Sequence, residues 1–151
     1  MSKAKDNQKS NKITSNRIKT ETQIAQEPKI ALRYNYLTTN KHYNMHYFNN
    51  KSMKLNAHDE LMAKLIEITG STISHISSIG KEKGAEPIPY SSLKENLQDS
   101  LKNIEIVSKG ATFTVFRFCQ QNYRLICLKD AINKNILHII GFDFDYSAYA
   151  H

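Results

Sequence analysis

The chain has 151 residues, about one domain's worth, with Lys plus Arg at 21 against Asp plus Glu at 14, a formal net charge of +7. No run approaches the roughly 18 consecutive apolar residues of a membrane span, the N-terminus is too polar for a secretion signal, and two cysteines cannot make a disulfide scaffold. A soluble, cytoplasmic chain with no membrane partner is expected, and its basic excess favours an anionic one.

Residues 1–29 carry seven basic side chains against three acidic ones, so +4 of the +7 lies there. After the start methionine their only large aliphatics are Ile13, Ile18 and Ile24. That little apolar surface cannot offset ordering entropy, which predicts a disordered basic tail ahead of one folded domain over 30–151. From Ile30 the period becomes two: Ile30, Leu32, Tyr34 and Tyr36 alternate with Ala31, Arg33 and Asn35, as in a half-buried strand. The Asn-, His- and Tyr-rich run 38–50 has no period and reads as a loop anchored by Met45, Tyr47 and Phe48.

A helix follows, with Asn56 as cap, Asp59 and Glu60 in its first turn, Leu61, Met62, Leu65, Ile66 and Ile68 as its apolar face, and Gly70 as its stop. Ile73, Ile76 and Ile79 predict a short second helix ending at Gly80. The next segment is a charged turn running into extended chain pinned by Pro87 and Pro89. Leu93, Leu97 and Leu101, four apart, predict a third helix, and a strand is expected around Ile104 to Ser108. Three runs rich in β-branched and aromatic residues, 112–118, 123–129 and 136–143, are joined by short polar connectors, which predicts an antiparallel meander. The fold class is therefore α+β: two or three N-terminal and central helices packed on one face of a C-terminal antiparallel β-meander of three to four strands.

If CQQN (119–122) closes a hairpin, Arg117 lies opposite Arg124. Facing guanidinium groups repel unless an anion or carboxylate intervenes. These are two of only four arginines beside seventeen lysines, and the guanidinium fork suits phosphate or carboxylate. Pairing with Asp130, Asp143 or Asp145 is the structural alternative. His138 is in phase with Ile136, Ile140 and Phe142, so it is either a structural core residue or, on an open face, a proton carrier. The aromatic terminus, with Phe142, Phe144, Tyr146, Tyr149 and His151, predicts docking onto the body. Asp143 and Asp145, two apart and near His151, admit paired metal ligation, although no second carboxylate cluster accompanies them; neutralising an arginine is their other role. His42 and His46 have no zinc spacing, and Cys119 and Cys127 read as buried thiols. With five glycines there is no phosphate-binding loop, and no nucleophile elbow is present, so no cofactor is expected.

Two resemblances attach to these residues. The body, from RYNYLTTNKHYNMHYF through KEKGAEPIPYSSL to VFRFCQQNYRLICLKD and ILHIIGFDFDYSAYAH, resembles a family of small uncharacterised proteins of low-GC bacteria, mycoplasmas included, and their mobile elements. That likeness spans about residues 30–151 and implies no activity. The C-terminal third, with Tyr123, Arg124, Leu125 and Ile126, then ILHIIGFD, then Tyr149, is similar to RelE/ParE-like toxins. The likeness implies an endoribonuclease that cleaves RNA on the ribosome without metal, through the RNA's own 2′-hydroxyl. Arg117 and Arg124 would then hold the phosphate, Tyr149 with His138 or His151 would move protons, and a cognate antitoxin would be a partner. The chain departs from that pattern in its longer helical part, its thin basic clusters and its Asp143 and Asp145. The rival reading is a non-enzymatic protein-interaction module, an antagonist or subunit encoded by a mobile element or phage. A third is nucleic-acid binding by the basic tail, with affinity falling steeply with salt.

Overall fold

The structure, a computed structural model, describes residues 27–51, 53, 55–120 and 122–150. Most of the expected tail and His151 therefore lie outside the described residues. The segment reads α+β, with five strands rather than three to four. In chain order these are β1 (Ala31–Arg33), α1 (Ala57–Thr69), α2 (Ile73–Ser78), α3 (Gly80–Lys83), β2 (Ala85–Pro89), α4 (Glu95–Leu101), β3 (Thr112–Phe118), β4 (Tyr123–Lys129) and β5 (Ile136–Asp143). One mixed sheet has the order β1-β5-β4-β3-β2. The antiparallel β3–β4–β5 meander stands where its three apolar runs predict it, with a register irregularity against β5 between Ile126 and Cys127.

The two extra strands come from weaker signals. β1 keeps only three residues of the alternating run, because only Ala31, Leu32 and Arg33 find partners, parallel to β5. Ile30 is buried, whereas Tyr34, expected on the same face, is exposed. The Pro87–Pro89 segment is not a mere connector. It pairs with β3 as an edge strand, the place where a residue without an N–H is tolerated. The segment 104–108 forms no strand. Ile104 and Val107 instead close turns back to Leu101 and Ile104.

Helices do not pack on one face alone. Leu61, Ile68 and Ile76 of α1 and α2 cover the face carrying Phe116, Leu125, Cys127 and Ile139. Leu97 and Leu101 of α4 cover the other, with Val115, Ile126 and Ile140. Every residue of β5 is buried. Runs apolar on both faces, rather than alternating, are the mark of a sheet covered on both sides. Thr72 caps α2 by accepting from the His75 N–H, whereas Asn56 makes no side-chain cap bond at α1. In the 38–50 segment Tyr47 and Phe48 pack against the core as expected and Tyr43 is fully buried, while Met45 is exposed. The segment's main chain extends the edge of β5, with Thr38 N–H donating to Ile140 O and Phe142 N–H to Tyr43 O. Tyr43 lies so close that a Cβ at Gly141 would stand 3.0 Å from its carbonyl oxygen. Cys119 and Cys127 are both buried and form no disulfide among the described residues, and burial pushes the Cys127 thiol well up.

Candidate functional site

The hairpin reverses through left-handed backbone at Cys119 and Gln120, and it sets Arg117 opposite Arg124 and Phe118 opposite Tyr123, as the loop length predicts. On the next strand Asp143 lies opposite Arg124. Two guanidinium groups and a carboxylate thus stand in a row across β3, β4 and β5. Their repulsion is resolved separately on each side. Arg117 Nη2 donates to Glu86 Oε2 of β2 at 2.9 Å, and that bond holds the guanidinium pKa above its ordinary value. Arg124 has 1 % exposure. Its Nε donates to Tyr149 Oη at 2.8 Å, and its guanidinium carbon lies 3.9 Å from the Tyr146 ring centroid, a cation–π contact. Its Nη1 is buried without a hydrogen-bond partner among the described residues. None of the three expected carboxylates is an ion-pair partner of either arginine among the described residues.

The cover over Arg124 is the C-terminal segment, which docks as its aromatics predict. Phe144 stacks on Phe142, Tyr149 bridges Leu93, and Lys94 N–H donates to Ala148 O. Asp143 organises this turn: one carboxylate oxygen accepts from the N–H groups of Asp145 and Ser147, the other from Ala148. Burial nevertheless pushes its pKa up, against those main-chain bonds. Asp143 is buried with main-chain N–H groups on both carboxylate oxygens, and its carboxyl group also shares a hydrogen bond with that of Asp145, which raises the pKa of Asp143 and lowers that of Asp145. Burial also desolvates Tyr149 and raises its pKa, while Arg124 opposes that shift.

His138 lies elsewhere. It pairs in register with Leu128, four residues along β4 from Arg124 or about 13 Å at strand rise. Its Nε2 is 2.9 Å from Asp130 Oδ2, its ring meets Tyr36 edge-on, and its exposure is 2 %. Asp130 also accepts from the N–H groups of Ile132 and Asn133, and these bonds with His138 hold its pKa down at about 2. The pair fastens the β4–β5 connection. His138 Nδ1 is buried with no partner among the described residues, so neither ring nitrogen meets Tyr149 or the arginines. The structure thus brings together Arg117, Arg124 and Tyr149 of the sequence-predicted site and leaves His138 apart.

It also gathers residues that sequence reading does not join. His42 Nε2 is 2.8 Å from Asp145 Oδ2 and 3.0 Å from Ser147 Oγ, which also lies 3.1 Å from Tyr43 Oη. Although partial burial pushes Asp145 upward, Ser147 and His42 hold its pKa below the ordinary value. The composition is that of a nucleophilic triad, but the wiring is not: acid and hydroxyl share one ring nitrogen. An Nε2–H donated to Asp145 cannot take the Ser147 proton, so the cluster pins the C-terminal turn rather than activating a nucleophile. His42 and Tyr43 lie about a hundred residues before Asp145 and Ser147, so no local spacing joins the two halves of the cluster.

Set against known proteins, this chain has no matching family model, no matching curated protein and no matching solved structure.

Proposed function

We propose that this chain is a non-enzymatic protein-interaction module rather than an RNA-cleaving enzyme. The observation that carries this reading is the state of the arginine pair. Arg117 is paired with Glu86, and Arg124 is sealed at 1 % exposure beneath Tyr146 and Tyr149. A scissile phosphate needs donors that converge on an accessible point, and these converge on protein groups instead. A second feature favours contact with a protein. Met62 and Ile66, one turn apart on α1, are 55 % and 66 % exposed, the i, i+4 spacing by which one amphipathic helix docks on another. The partner this fits is a protein offering an amphipathic helix.

The toxin-like reading keeps one point in its favour, the meeting of Arg117, Arg124 and Tyr149, and it requires residues 144–150 to swing away. One experiment separates the two. Purified chain is incubated with ribosomes and mRNA, and in parallel tagged chain is used to recover partners from host lysate. The expected result is intact RNA and a stoichiometric protein partner that is lost with Met62→Lys/Ile66→Lys. RNA cleavage, or growth inhibition relieved by a co-expressed antitoxin, that disappears with Arg124→Ala and with Tyr149→Phe would overturn the proposal.

A further inference from the structure

α2 has six residues and so spans about 9 Å, and it lies over the sheet face that carries Thr114 and Phe116 of β3. A cavity of about 230 Å³ remains between them. Its roof is Ile76 and Ser77 of α2, and its floor is Pro87, Thr114 and Phe116, from two adjacent strands. Lys129, the last residue of β4, completes the lining. Lys129 is exposed and has no ion pair among the described residues. Its register partner is Leu137, which belongs to the core on this same face.

A second cavity, of about 260 Å³, lies on the other side of Lys129, and it differs in chemistry. There Asp130 already supplies a carboxylate, bound by His138 and two main-chain N–H groups. The first cavity has no acidic residue in its lining; the polar residues there are Lys129, Ser77 and Thr114. We propose that the first cavity binds a small monocarboxylate with an apolar body. The carboxylate is held by Lys129 Nζ, and the hydrocarbon lies between Ile76, Pro87 and Phe116. The volume sets the size class: it falls below the roughly 300–1,000 Å³ of sites for drug-sized ligands, so the acid is short. A lone ammonium at the edge of an apolar slot supplies one strong charge-assisted bond and selects acid over alcohol.

The test titrates the full chain with sodium hexanoate, and separately with hexanol, followed by amide NMR shifts. Saturable shifts at Ile76, Thr114 and Lys129 are expected with hexanoate. Lys129→Met should weaken hexanoate about tenfold or more, the worth of about 1.4 kcal/mol, while leaving hexanol unchanged, and Lys129→Arg should restore it. Ser77→Phe, which fills the slot, should remove both responses. Absence of saturable shifts, or equal losses for acid and alcohol with Lys129→Met, would overturn the assignment. Lys129 is exposed, so its variants report on binding in a folded chain.

Discussion

At residue scale, the informative side chain is Arg124. A buried guanidinium is tolerated only where hydrogen bonds and polarizable faces replace water, and here Tyr149 Oη and the Tyr146 ring take that part. Tyr149→Phe leaves Nε buried and unpaired, and it should cost about 1–3 kcal/mol in urea denaturation. The same variant combined with Arg124→Met should cost less than the two single losses added together, because the orphaned donor disappears with its partner. Asp130 gives a pH prediction. Its folded pKa of about 2 lies below the roughly 3.9 of an unfolded aspartate, so its contribution is present above about pH 4 and is lost as pH falls towards 2. The urea midpoint should fall across that window, and Asp130→Asn should flatten the slope. The facing of Arg117 and Arg124 was legible from hairpin length alone. Which carboxylate would answer it was not, because Glu86 lies 31 residues before Arg117 on a strand with a weak sequence signal.

Among the elements, the helices follow their local signals closely. The 57–69 helix stands where it is read, but of its expected apolar face Leu61 and Ile68 are buried while Met62 and Ile66 are exposed; Leu97 and Leu101 are buried on α4, with Leu93 buried just ahead of it. α2 depends on its cap: Thr72→Ala should cost about 1 kcal/mol, within a usual range of about 0.5–2, measured as a shift in the unfolding midpoint. On α1, Met62→Lys/Ile66→Lys should change stability by less than about 1 kcal/mol, at about 0.5 per exposed site, while removing partner capture. A large loss of stability there would mean that these side chains serve the fold itself. Strands were harder to place. A segment with two prolines joins the sheet, and an aliphatic run at 104–107 does not, since ladder partners are assigned by the neighbouring strand's free edge.

Across the whole molecule, both faces of one sheet are covered, and the C-terminal segment seals the second face at the arginine row. Removing residues 144–151 uncovers Arg124 and the cores beneath Phe144 and Tyr149. From the burial of those two side chains at about 1.5–3 kcal/mol each, the loss should be about 3–6 kcal/mol, a large share of a domain's usual 5–15. Calorimetric unfolding would read this as a steep fall in Tm. A truncated chain of unchanged stability would mean that the segment is a dispensable cover. The amino-acid order by itself determined the helical stretches, the three-strand meander, the facing arginines and the docked aromatic end, because each is written in period, turn length or composition over a few neighbouring residues. Tertiary structure alone decided that Arg124 is closed off, that His42 meets Asp145 and Ser147, that β1 runs parallel to β5, and that a slot remains beside Lys129. Each of these depends on which distant segment arrives at a given edge or face, and burial and electrostatics act through that arrival rather than along the chain.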